Sequence, residues 1–117
     1  MNEIEKKALR LLGFAVRARL AAIGVPLVCE ALKKPANGAK KRPVIVLEAA
    51  DTSENTHKRL CDRTAYYGVP HLSLSVDAAA LATAVGKRDG AVAAVGVSEP
   101  SLAKVITELY QENGRKD

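Results

Sequence analysis

Val44-Ile45-Val46-Leu47-Glu48-Ala49-Ala50-Asp51-Thr52-Ser53 begins as an unbroken β-favouring run and ends on residues that cap helices. An unbroken apolar run, in place of an alternating one, is what a strand covered on both faces requires. Asp51, Thr52 and Ser53 each carry a side-chain oxygen suited to receiving a free amide of a following helix. A buried strand that passes straight into a helix predicts helices packed on both faces of a sheet.

Downstream, that helix is predicted to run to about Tyr67 and to end at Gly68, a residue that accepts the left-handed conformation of helix C-termini. Val69 to Val76 partly alternates, with Val69, Leu72, Leu74 and Val76 apolar, and predicts a strand after Pro70. An Ala-rich helix follows from Ala78 to Val85, Gly86 and Gly90 bracket a charged turn, and Ala91 to Val97 reads as an inner strand of small residues. Ser98-Glu99-Pro100 opens a last helix bearing Leu102, Val105, Ile106 and Leu109. Residues 112–117 are expected to form a frayed polar tail.

Upstream, Ile4, Ala8, Leu11, Leu12 and Ala15 mark one face of an amphipathic helix, with Glu3, Glu5, Lys6, Lys7 and Arg10 on its other faces. Leu20-Ala21-Ala22-Ile23 reads as a small edge strand. Pro26 suits the first turn of a second helix, expected to carry Leu27, Val28, Ala31 and Leu32 inward and to stop before Pro35. Between it and the central strand, Lys33-Lys34-Pro35-Ala36-Asn37-Gly38-Ala39-Lys40-Lys41-Arg42 is an exposed basic loop. Helices and strands therefore alternate, predicting an α/β fold: a three-layer α/β/α sandwich with a small mixed four-stranded sheet, formed as one domain over residues 1–117.

The 117 residues carry 18 Lys plus Arg against 13 Asp plus Glu, a net charge of +5, and 48% are apolar. That composition excludes disorder and makes neither a metal nor a disulfide necessary for stability. No apolar run approaches the roughly 20 residues that cross a bilayer, and the N-terminus lacks a signal-type apolar segment, so a cytoplasmic protein with no membrane partner is expected. A pI near 9.4 favours a polyanionic partner. With 1 Phe, 3 Tyr and no Trp, stacking platforms for single strands are not available.

No catalytic, cofactor or metal site emerges. His57 and Cys61 lie one helical turn apart, but a metal site needs further ligands and a catalytic triad needs an orienting acid. Sequence alone does not place Asp62, His71 or Cys29 beside them. The simpler reading is a half-buried thiol beside a surface histidine. His71, Ser73 and Ser75 read as a polar, half-exposed strand face without a Gly-x-Ser-x-Gly elbow. Gly86-Lys87 fails as a phosphate loop because Leu81 stands where a glycine is required and Arg88 where a hydroxyl is. What remains is positive charge, at Arg17 and Arg19, in the basic loop, and at Lys87-Arg88. Arg17 and Arg19 precede Gly24 and the second helix, whose N-terminal amides suit a phosphate.

Leu11-Leu12-Gly13-Phe14-Ala15-Val16-Arg17-Ala18, Gly24 with Ala31-Leu32, Val44 to Leu47 with Glu48-Ala49-Ala50-Asp51-Thr52-Ser53-Glu54-Asn55-Thr56 and Lys58, then Gly68-Val69-Pro70 and Ala84-Val85-Gly86-Lys87 together resemble the small bacterial branch of the ribosomal protein L-seven-Ae and L-thirty-e family. The resemblance covers nearly the whole chain. It implies an α/β/α sandwich that binds kink-turn RNA, a duplex bent sharply at an internal loop; the lack of a catalytic or cofactor-binding constellation in the sequence predicts no enzymatic activity and no cofactor. The family grips RNA at the start of the second helix with Gly, any residue, Asn, Glu, two residues, then Lys. Here the segment reads Gly24-Val25-Pro26-Leu27-Val28-Cys29-Glu30. Pro26 has no amide donor, Leu27 replaces the polar acceptor, and Glu30 reverses the charge of the lysine.

The pattern of positive charge and the resemblance together predict RNA-facing residues at Arg17, Arg19, Gly24, Val25, Glu30, Lys33, Lys34, Val76 and Lys87, with Val76 in the strand-to-helix loop that touches bases in the family. The partner expected is structured RNA, ribosomal RNA included. Affinity is expected to rest on basic phosphate contacts, with kink-turn specificity weakened by the motif changes. The alternative is a protein-interaction module of the same fold that no longer binds RNA, docking a protein partner through Val25, Pro26, Leu27 and Val28.

Overall fold

In the computed structural model, which describes residues 3–34, 42–87 and 90–115, the chain runs α1 (Glu3–Arg17), β1 (Ala21–Ile23), α2 (Val25–Leu32), β2 (Ile45–Glu48), α3 (Glu54–Tyr67), β3 (His71–Ser73), α4 (Ala78–Ala84), β4 (Ala94–Val97) and α5 (Pro100–Arg115). The strands form one mixed sheet in the order β1-β4-β2-β3. β2 is parallel to β3 and antiparallel to β4, and β4 is antiparallel to β1. β1 is thus the edge strand the sequence suggests, and β2 and β4 are buried at every position.

Strand alternation divides the core into two layers. Ile45, Leu47, Val95 and Val97 point toward Leu12 of α1, Leu81 of α4 and Ile106 of α5. Val46 and Ala94 point the other way, against Val28 and Leu32 of α2 and Leu60 of α3. Helices cover both faces, as expected. Glu48, the next position on the Val46 side, reaches the α3 side chain of His57 at 2.7 Å. It is a carboxylate only 3% exposed at the end of a central strand.

The helix boundaries follow from local chemistry. Ser53 Oγ accepts the Thr56 amide at 3.3 Å, and Gly68 ends α3 at φ 67. Asp77 Oδ1 accepts the Ala80 amide, while Asp51 Oδ1 accepts that of Ala78, tying the turn after β2 to the start of α4. Glu99 Oε2 accepts the amides of Ser101 and Leu102 at the start of α5.

Several sequence expectations are corrected. β3 stops at Ser73, short of Val76, because its partner β2 ends opposite it at Glu48. Leu74 and Val76 then turn into the core. β4 begins at Ala94, not Ala91, for the same reason of register with Glu48. α5 continues to Arg115, through part of the segment read as a frayed tail. Leu27 does not point inward: the buried stripe of α2 is Val28, Ala31 and Leu32, and Leu27 lies about a quarter turn off it. Val105 of α5 is likewise exposed. His71 bonds Glu48 and does not form an open polar face with Ser73 and Ser75. Most of the basic loop, residues 35–41, and Arg88 lie outside the described residues.

Candidate nucleic-acid interface

The residues singled out from sequence fall at different places on this frame. β1 leaves the sheet at Ile23, and the Gly24 amide donates to the Ala94 carbonyl at 2.8 Å. The Ala49 amide donates to Ala93 and the Ala50 amide to Val76, each at 2.8 Å. Gly24, the start of α2 and the loop at Val76 therefore flank one end of the sheet, around Ala93 and Ala94.

What that end presents is largely apolar. Gly24 takes φ 93, which favours glycine, and α2 has no side-chain cap, so the Val25 and Leu27 amides are its free donors. Pro26 is exposed without an amide, and Leu27 is 60% exposed. Val76 is in the core, so the loop presents Ser75 and Asp77 outward and the Val76 side chain is not offered to a base. Glu30, in place of a lysine, pairs with Lys33 at 3.3 Å on the exposed side of α2.

The basic residues separate into two clefts. Arg17 lines a groove between α1 and α4 together with Lys6, Arg10, Leu9, Gly13, Ala80, Thr83 and Ala84. Lys6, Arg10 and Arg17 stand at helical spacing, so three cations run along one wall of a groove floored by small and apolar groups. Gly13 makes the close helix contact possible, since a Cβ there would lie 3.0 Å from the Ala84 carbonyl. Lys87 follows that same end of α4 and is exposed. Arg19, at φ 61, instead shares a second cleft with Lys34, Pro43, Gly96, Ser98 and Glu99, at the opposite end of the sheet from Gly24.

Among the described residues the positive charge read from the sequence is thus divided: Arg17 joins Lys6 and Arg10, while Arg19 joins Lys34. Lys6 and Arg10 were legible only as solvent-facing positions of α1, because the sequence does not show that α4 packs beside them. Arg42, at the end of the basic loop, is committed to structure. Its Nε donates to the Lys34 carbonyl at 2.9 Å, Nη1 to the Tyr67 carbonyl at 3.4 Å, and its guanidinium lies 5.1 Å from the Tyr67 ring centre. It joins the ends of α2 and α3, where carbonyls lack helical partners.

No protein-family model matches the chain. It is 31% identical over 112 residues to the RNA-binding protein YlxQ of Enterococcus faecium, covering 95% of this chain and 99% of that protein. It is 35% identical over 99 residues to the RNA-binding protein YlxQ of Bacillus subtilis, covering 85% and 90%. A solved protein of unknown function from Bacillus halodurans superposes with a TM-score of 0.73 at 28% identity, over 88% of this chain and 95% of the other. The Giardia lamblia 15.5kD RNA-binding protein superposes with a TM-score of 0.70 at 16% identity, over 96% and 88%, a likeness of fold.

Proposed function

From the premise that this chain belongs to the family of the YlxQ RNA-binding proteins, we propose that it is a non-enzymatic binder of structured RNA that holds its partner mainly by phosphate contacts. The observation that carries this reading is the row Lys6, Arg10 and Arg17 in the α1–α4 groove, with Lys87 beside its end. Cations set along a groove recognise the phosphate backbone without reading sequence. The Val25 and Leu27 amides, at a helix start without a side-chain cap, add donors suited to a phosphate.

The same end of α2 argues against strong kink-turn selectivity. Pro26, Leu27 and Glu30 supply no donor, no polar acceptor and the wrong charge where the L-seven-Ae and L-thirty-e family places Asn, Glu and Lys. A cytoplasmic RNA, ribosomal or other, is the partner this chemistry suits. The test is a titration of the full chain against a kink-turn RNA and a straight duplex of equal length, at low and near-physiological salt. The reading expects similar affinity for both and a steep loss with salt. Tight, salt-resistant binding confined to the kink-turn overturns it.

A second reading, a protein-interaction module, is favoured by the 60% exposure of Leu27 next to exposed Pro26. It expects the parent to bind neither RNA in that titration and Leu27→Glu to abolish binding of a protein partner, and self-association of the pure chain would appear in sedimentation as a concentration-dependent mass.

A further inference from the structure

We propose that His57, Cys61 and His71 form a zinc-binding site, oriented from behind by Glu48. His57 and Cys61 are one turn apart on α3, and His71 opens β3 on the same side of the sheet. Glu48 Oε1 and Oε2 accept from His57 Nδ1 at 2.9 and 2.7 Å, and Oε1 accepts from His71 Nε2 at 2.7 Å. Among the described residues, these imidazoles are the side-chain hydrogen-bond partners of this buried carboxylate.

An ionised carboxylate only accepts hydrogen bonds, so each ring in its neutral form donates to Glu48 and turns its other nitrogen away with a free lone pair. Both lone pairs meet at one sulfur: His57 Nε2 is 3.5 Å and His71 Nδ1 3.6 Å from Cys61 Sγ. A thiol has one proton and satisfies one of them. A metal satisfies both and takes the thiolate as its third ligand. The spacing fits: Zn–S near 2.3 Å and Zn–N near 2.05 Å at a tetrahedral angle put sulfur and nitrogen about 3.6 Å apart. All three ligand atoms lie within 4.8 Å of one another.

The charges also close, since a dication is matched by the Cys61 thiolate and the Glu48 carboxylate. The carboxylate behind both imidazoles is the arrangement that fixes the tautomer and raises the basicity of metal-bound histidines. Two imidazoles and one thiolate are a borderline-soft set that suits zinc. His57 is 49% exposed in its side chain, which leaves the fourth position open to water. The site joins α3 to the edge of the sheet and does not involve the basic groove, so it stands independently of the RNA reading.

The full chain, stripped with a chelator, is titrated with zinc chloride against a chromophoric zinc indicator. One equivalent is expected to bind, and cobalt loading is expected to give a thiolate-to-metal charge-transfer band with the visible bands of a tetrahedral site. Cys61→Ser and His57→Ala are expected to weaken binding by about tenfold or more, and Glu48→Gln by about 10- to 100-fold. Cys29→Ser should bind as the parent does. Circular dichroism confirms that each variant is folded, and the half-exposed His57 keeps the proposal testable if changes at buried Glu48 unfold the chain. Absence of zinc binding by the folded parent, unchanged affinity in folded His57→Ala, or a cobalt spectrum without the thiolate band overturns the proposal.

Discussion

Gly96 shows how a single missing side chain sets the interlayer spacing. It sits in β4 opposite Val46, and a Cβ built on it would lie 2.8 and 3.1 Å from Cγ and Cβ of Pro43 and 3.7 Å from Val28. Pro43 is itself fully buried, so neither partner has room to yield. Gly96→Ala is therefore expected to destabilise the fold by about 1–3 kcal/mol through overpacking, a fall in melting temperature of about 4 °C per kcal/mol for a chain of this length. A thermal melt that matches the parent sinks the argument. The sequence shows the small residues of β4, and hence close packing, but not which residue approaches. Pro43 lies far from Gly96 in the chain, and only the β2–β4 pairing brings them together. The same limit hid the Glu48–His57–Cys61–His71 cluster. The one-turn spacing of His57 and Cys61 was visible, whereas the reach of Glu48 and His71 depends on the parallel register of β2 and β3.

Among the elements, α1 was the most legible and also the most incompletely read. Its apolar stripe predicted burial of Ala8, Leu12 and Ala15, which are fully buried. A second, shallower contact with α4 then converts part of its polar surface into the wall of a groove, where Lys6, Arg10 and Arg17 line up. Periodicity identifies the face that meets the sheet, but not a face that meets another helix at its margin. If this row contacts phosphates, replacing all three with Ala should remove about three ion pairs to RNA. The slope of log affinity against log salt should then fall in magnitude by about 2–3, a difference of roughly 30-fold in affinity across a fourfold salt change. These side chains are exposed or bordering solvent, so the melting temperature should change little. An unchanged salt slope would place the RNA elsewhere, with the Arg19 and Lys34 cleft as the next candidate. A double change there, Arg19→Ala with Lys34→Ala, gives the matching comparison.

At the scale of the whole molecule, the layered architecture follows from the alternation of helices and strands, while the strand order does not, because β4 inserts between β1 and β2 only through long-range pairing. Tyr110 reports on how those layers close. It lies near the end of α5, half-buried, with a side-chain hydrogen bond to Ser75 of the β3–α4 turn and the Glu5 carboxylate of α1 nearby. Burial is the main influence and raises the pKa of its phenol above the ordinary value near 10; the negative charge of Glu5 acts the same way, and the Ser75 bond opposes it. The folded chain consequently holds this proton more tightly than the unfolded chain. Between the ordinary phenol value and the raised one, the unfolded state binds fewer protons, so stability falls as pH rises. The contribution is fully present below pH about 10 and is lost above it. Tyr110→Phe keeps the ring while removing the titration and the Ser75 bond. Urea-unfolding midpoints followed from neutral pH into the alkaline range should decline less steeply in Tyr110→Phe than in the parent, even if the variant starts lower. Parallel declines would mean that α5 is not held against α1 and the β3–α4 turn strongly enough to shield this hydroxyl.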